Sequence, residues 1–309
     1  MSSASPSAAL PPDAPLCAAP HPAPRQPGLA LPPGACDCHA HICGPLAGFP
    51  YAAERIYTPP DALLPTYRAL LARLGVSRGV LVQPSVYGTD NRVLLRALAE
   101  AGDAFRGVAV VEPDIPAAEL EAMHRAGVRG VRVNLVDRRE GRNAVPPELL
   151  RALAARIAPL GWHLELLLQV DAVPELDTLL GDLPVPLVFG HLGYVPAARG
   201  GAATAGFAAL LRLLARSRCW VKLTGPYRIS AEILPYRDIL PMARALADAA
   251  PERLLWGSDW PHVMVKGAMP DDGDLVDLLA DWLPSAEVRE RVLVTNPAAL
   301  YGFPDGAGA

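Results

Sequence analysis

Ala35-Cys36-Asp37-Cys38-His39-Ala40-His41 is a short run bounded by Pro32-Pro33-Gly34 on one side and Gly44-Pro45 on the other. It is too short for a packed helix, and its punctuation marks it as a strand. Seven more runs of this size follow: Gly79–Gln83, Gly107–Val111, Val128–Leu135, His163–Gln169, Val185–His191, Cys219–Thr224 and Arg253–Asp259. Most are continuous and aliphatic, as suits strands buried on both faces. Between them lie amphipathic stretches rich in Ala, Leu and Arg, at about 62–74, 91–101, 116–126, 147–160, 171–181, 206–216 and 239–250, with two more after the last run. Strands alternating with helices are the pattern of parallel βαβ units. Eight units over this length, with no Gly-rich phosphate loop after the first strand, predict an α/β fold, the (β/α)8 TIM barrel, rather than an open doubly wound sheet.

The rest of the chain fits one such domain. Its 309 residues exceed the usual size of a domain, but closed α/β barrels reach ~250 residues as one unit. Ten of the 34 prolines fall in residues 1–34 among Ser and Ala with no apolar period, so residues 1–33 are expected to be a disordered arm and 34–309 the barrel. Lys and Arg total 28 against 32 Asp and Glu, too even a balance to suggest nucleic acid or an anionic membrane as partner. No apolar run approaches the ~18–20 residues of a membrane span. The arm lacks the charged and apolar regions of a secretory signal. Five cysteines, an odd number with three between positions 36 and 43, do not form the framework of a secreted disulfide protein, and a cytoplasmic location is expected.

In a barrel, chemistry gathers at the C-terminal ends of the strands. By the period of two, Asp37, His39 and His41 are predicted to share one face of the first strand, with Cys36 and Cys38 on the other. Two imidazoles so placed can ligate one metal ion or converge on one substrate oxygen. The eighth run ends in Asp259 before Trp260-Pro261-His262, and the sixth ends in His191. A carboxylate facing histidines across a barrel mouth can bind a metal or act as general base toward water.

On these residues the chain resembles the amidohydrolase superfamily, and within it the branch containing 2-pyrone-4,6-dicarboxylate lactonase and related lactone hydrolases. The matching segments are Asp37–Pro45, Gln83–Asn91, Gly130–Asn134, Gly190–Gly193, Lys222–Arg228 and Trp256–Pro261, spread from about Gly34 to Phe303. The resemblance implies a barrel hydrolase in which Asp259, its basicity raised by a partly dry site, activates water while His39, His41 and His191 polarise the scissile carbonyl. It also implies that Arg132, Arg138 and Arg228 hold substrate carboxylates, through a planar donor fork whose charge does not titrate. Arg132 alternates with Asn134 and is aimed inward by parity.

Ser85 and Tyr87, after the second strand, and Tyr57, in the long first loop, are further candidates for substrate contact. Strand five offers Leu166 and Leu167 where relatives of the dicarboxylate lactonase carry a polar aromatic, a departure that bears on the substrate. Members binding two metals bridge them with a strand-four lysine, and one-metal members add a strand-five histidine at the mouth. Here strand four has Arg132 and Asn134, and His163 stands at the wrong end of strand five. No essential metal is therefore expected, the alternative being one divalent ion, zinc or manganese, on His39, His41, Asp259 and His191. The expected activity is hydrolysis of a small carboxylated lactone, against a one-metal hydrolase or decarboxylase of the same superfamily.

Overall fold

A computed structural model describes residues 14–137, 144–216 and 218–303. Eight parallel strands run in sequence order: β1 Cys36–Ala40, β2 Arg78–Val82, β3 Phe105–Ala109, β4 Val128–Asn134, β5 His163–Leu167, β6 Leu187–Phe189, β7 Cys219–Thr224 and β8 Leu254–Gly257. The circle closes where Asp259 N donates to His39 O at 2.8 Å and His41 N donates to Trp260 O at 2.8 Å. The barrel expected from the sequence is thus the fold of the chain.

The connecting helices are α1 Leu64–Leu74, α2 Arg92–Ala101, α3 Ala117–Arg125, α4 Pro147–Ile157, α5 Leu176–Leu180, α6 Ala205–Ala215 and α7 Leu240–Ala249. After β8 come α8 Asp272–Trp282, α9 Ala286–Glu290 and α10 Asn296–Tyr301, the last two joined through a π turn at Arg291–Thr295. Helix α5 is shorter than its apolar pattern suggests. Pro174 lies inside the expected span, and a residue before proline is disfavoured in helical backbone, so the helix begins beyond it.

Two buried layers hold the barrel. One lies between the outer face of the strands and the helices, with Leu81, Phe105 and Val131 against residues such as Leu71, Leu94 and Leu98. The other fills the interior with Cys36, Cys38, Val80, Val82, Val108, Val188, Trp220 and Leu255, and Tyr301 and Phe303 close its lower end. The guanidiniums of Arg78 and Arg106 stand 5.0 and 4.9 Å over the Phe303 ring.

Residues 14–33 of the expected arm contain no helix or longer strand, yet they lie against the barrel. Cys17 N donates to Thr58 O and Thr58 N to Pro15 O, both at 2.8 Å. Further on, Arg25 N, Gly28 N and Leu29 N donate to Asp271 and Asp277 of the α8 region, while the Arg25 side chain pairs with Asp274 and Asp277. This half of the arm is anchored by main-chain bonds that need no apolar period, which is why its composition concealed them.

Candidate active site

The β1–β8 ladder sets the centre of the site. It brings the two strands so close that a Cβ on Gly257 would stand 2.6 Å from His39 Cβ, so only glycine fits there. Asp259 follows in left-handed backbone, φ 67°, which turns its carboxylate across the mouth. Its Oδ1 lies 3.7 Å from His39 Nε2 and 4.0 Å from His41 Nε2. Thr224-Gly225 at the end of β7 and Gly190-His191 after β6 complete the circle. A Cβ on Gly225, φ +56°, would meet His191 Nδ1 at 2.6 Å and Asp259 Oδ2 at 2.8 Å.

The period of two fails on β1. Its register against β2 runs from Asp37 opposite Gly79 to Ala40 opposite Leu81, three steps against two, so one residue is inserted. Asp37 therefore points out toward the helices, where its carboxylate accepts from Tyr67 of α1 at 2.9 Å, from Ser258 and from His39 N. Burial pushes its carboxyl up to about 6, against those donors. His39 and His41 point inward beyond the bulge. Cys36 and Cys38 also face the interior, lower down, with sulfurs 3.8 Å apart, so the expected opposition of cysteines and histidines is corrected.

The two oxygens of Asp259 have different surroundings. Oδ2 accepts from the Tyr227 hydroxyl at 2.6 Å and from Arg228 Nε, whereas Oδ1 has no hydrogen-bond partner among the described residues. Burial would raise this carboxyl, but Arg228, with His191 and His39, outweighs it and holds the group well below the usual carboxylate range. The direction is opposite to the raised basicity expected from the sequence, because the Arg228 guanidinium is paired with the carboxylate.

His39, His41 and His191 are all lowered to about 3, first by burial and then by nearby cations, Lys222 for His39 and Arg132 for His41. They are neutral near pH 7, and their partners assign the proton. His41 Nδ1 lies 2.8 Å from Val82 O, which only accepts, so its Nε2 presents a lone pair to the mouth. His191 Nδ1 is 3.3 Å from Thr224 O in the same sense. His39 Nδ1 stands between Lys222 Nζ at 3.3 Å and Glu165 Oε1 at 3.4 Å, and Lys222 also donates to Glu165 Oε2 at 2.6 Å. Both members of that pair are buried in the barrel beneath the mouth.

Above these groups is a small, narrow cleft. Tyr57, Arg132 and Arg228 line it, together with Leu167, Tyr194, Asp137 and Val263. Arg132 donates through one terminal nitrogen to Gln83 O at 3.0 Å, and its buried Nε has no partner among the described residues. Ser85 stands behind the wall, its hydroxyl donating to Tyr57 at 3.3 Å. Tyr87 does not line the cleft; its oxygen accepts from Gly44 N at 2.7 Å and fixes the first loop. Arg138 lies outside the described residues. His163 is at the lower end of the interior, its ring edge-on to Tyr301 at 5.3 Å, away from the mouth as expected.

Sequence reading passed over Glu165, Lys222, Tyr227 and His262. The signal for the first two was a charged residue at an inward position of an apolar strand. Tyr227 and His262 carried none, since each matters only through a partner on a different loop.

His39, His41 and Asp259 offer one ligand atom each, all within 4.8 Å of one another. The orphaned Oδ1 and Nε2, and the lone pair on His41, are the donor set that one divalent ion takes. His191 is not part of that set, although its ring lies edge-on to His39 at 5.2 Å.

The chain is 41% identical over 287 residues to a 2-pyrone-4,6-dicarboxylate hydrolase of Comamonas testosteroni, covering 90% of this chain and 93% of the relative. It is 39% identical over 290 residues to a 4-sulfomuconolactone hydrolase of Rhizobium radiobacter, covering 93% and 96%. An apo crystal structure from Agrobacterium tumefaciens superimposes with a TM-score of 0.80 at 30% identity, over 90% of this chain and 99% of that one. The amidohydrolase family profile matches residues 36–303, and with the barrel and its mouth so arranged, the chain belongs to the amidohydrolase family.

Proposed function

We propose that the protein is a hydrolase that opens a small carboxylated lactone resembling 2-pyrone-4,6-dicarboxylate. The observation that carries this reading is the buried Asp259 Oδ1, unpartnered among the described residues, facing His39 and His41 beside the Arg132 guanidinium. The two relatives above are named for hydrolysis of anionic lactones, which supports the same substrate class.

In this reading water sits between Asp259 Oδ1 and the His41 lone pair. As its oxygen bonds to the lactone carbonyl carbon, Oδ1 takes its proton. The oxyanion is met by N–H donors, with His39 suited to this when Lys222 donates to its Nδ1. The ring C–O bond then breaks, and the departing oxygen takes the proton from Asp259, leaving an open-chain acid and a restored carboxylate. Arg132 holds a substrate carboxylate, and Arg228, paired with Asp259 through its Nε, also lines the cleft. Arg132→Met is expected to raise KM for a carboxylated lactone about tenfold or more with a smaller change in kcat, since the fork serves ground and transition states alike. An unchanged KM reassigns Arg132 to structure.

The tautomer of His41 favours a second reading, a one-metal hydrolase or decarboxylase. A zinc or manganese ion would be held by His39, His41 and Asp259 and would supply Lewis-acid polarisation of the carbonyl. The deciding experiment screens purified protein against carboxylated and sulfonated lactones by ring-opening absorbance, before and after chelation, with metal analysis. Turnover retained without metal supports the first reading. Loss restored by stoichiometric zinc supports the second, and a folded protein that opens no lactone overturns both.

A further inference from the structure

Behind Asp259 runs a chain of polar groups that the reaction as written does not use. The Tyr227 hydroxyl is 2.6 Å from Asp259 Oδ2 and 2.9 Å from His262 Nδ1, and His262 Nε2 is 3.1 Å from Asp272 Oδ1. The Tyr227 and His262 rings meet edge-on at 5.6 Å. His262 and Asp272 are fully buried, and none of the three lines the cleft. Three elements contribute: the turn after β7, the turn after β8 and the first residue of α8.

We infer that Tyr227 is the positioning residue for Asp259, and that His262, held by Asp272 at the head of α8, fixes Tyr227 in turn. This rests on the hydrolase reading above. The torsion that turns a carboxylate about its last carbon–carbon bond is soft, so one hydrogen bond leaves the plane free to swing. Arg228 Nε supplies one donor to Oδ2, and its guanidinium also stacks 5.4 Å over the Tyr227 ring. The tyrosine hydroxyl supplies a second donor on the same oxygen from a different direction. With Oδ2 pinned twice, Oδ1 is presented to His39 and His41. Tyr227 needs its own anchor, because a hydroxyl on a short turn is only as fixed as its far side; His262 and Asp272 are that anchor, tied to a helix eleven residues long.

A positioning role has signatures that a merely structural one lacks. Tyr227→Phe keeps the ring and removes only the oxygen. It is expected to lower kcat roughly tenfold or more while KM stays within about twofold, because the cleft is untouched. In an Asp259→Asn background the same change should have no further effect on the residual rate, since residues acting through one group are not additive. His262→Gln should lower kcat less, and add nothing to Tyr227→Phe. If His262→Gln fails to fold, Tyr227→Phe still decides. Full kcat in Tyr227→Phe, or effects that multiply with Asp259→Asn, would overturn the inference. A crystal structure of Tyr227→Phe gives a readout independent of any substrate: the Asp259 carboxylate should be turned by tens of degrees from its wild-type plane, and an unmoved carboxylate sinks the idea. A wild-type protein that opens no lactone counts against the hydrolase reading, whereas an active wild type with an unaffected Tyr227→Phe counts against this inference alone.

Discussion

Asp259 combines complete burial with a carboxyl held well below its usual range, and the reason is local. Arg228 stabilises the ionised form more than burial penalises it, and the Tyr227 hydroxyl donates to the same oxygen. A base held so far down is weak in water, but it is ionised near neutral pH, and its proton acceptor is the oxygen left open among the described residues. Two outcomes follow at this scale. Asp259→Asn should keep the fold and lower kcat at least ~10²-fold, the usual scale of a lost general base; near wild-type turnover removes it from the mechanism. The active form is the ionised one, so the Asp259 limb of kcat/KM should lie below the ordinary carboxylate range, and any limb near pH 6 belongs to Asp37, whose carboxyl burial raises to about 6. A limb centred near the ordinary carboxylate value of about 4 would show that Arg228 does not control Asp259. The histidines and Asp259 were legible in the sequence because each stands at a strand end. Glu165, Lys222, Tyr227 and His262 were not, because their meaning lies in distances across the barrel between residues up to 183 positions apart, as for Lys222 and His39.

At the scale of elements, the eight strands were placed within a few residues by aliphatic runs and their Gly and Pro boundaries. The two departures have physical causes. Helix α5 is cut short by Pro174, and the extra residue in β1 breaks an alternation that the sequence cannot reveal, since a bulge leaves no compositional mark when the neighbours are Cys, His and Ala. That insertion has a functional effect: without it His39 and His41 would follow Asp37 outward and the mouth would lose both imidazoles. The turn after β7 is equally specific. Gly225 adopts φ +56° with His191 and Asp259 pressed against the place a Cβ would take. Gly225→Ala should therefore destabilise the fold by about 1–3 kcal/mol, from left-handed strain and displaced neighbours, and should lower kcat by moving both side chains. Thermal melting with steady-state kinetics checks this; a variant with unchanged midpoint and turnover would mean that the turn relaxes freely.

On the whole molecule, the barrel is closed below by Phe303 and Tyr301 and roofed at the mouth by loops, one of which is tied down by the segment that composition marked as an arm. Pro15 and Cys17 form a main-chain ladder with Thr58, next to Tyr57 in the cleft wall, and Thr58 Oγ1 donates to Ala14 O at 3.0 Å. On the other side Met264 N donates to Cys17 Sγ at 3.4 Å, and Met264 is itself part of the wall. The segment thus bridges the loops after β1 and β8. Deleting residues 1–29 should lower the thermal midpoint by several degrees and raise KM more than it lowers kcat, because the wall is loosened while Asp259 and the histidines keep their strand-end supports. Arg25→Ala is the contrasting variant. Its ion pairs with Asp274 and Asp277 are formed by a side chain 44% exposed, so they are worth no more than about 1 kcal/mol, and the main-chain bonds to Asp271 and Asp277 survive the change. If Arg25→Ala proves as damaging as the deletion, the anchor is electrostatic and the Thr58 ladder is incidental. If the deletion leaves both midpoint and KM unchanged, the segment rests on the barrel without shaping its mouth.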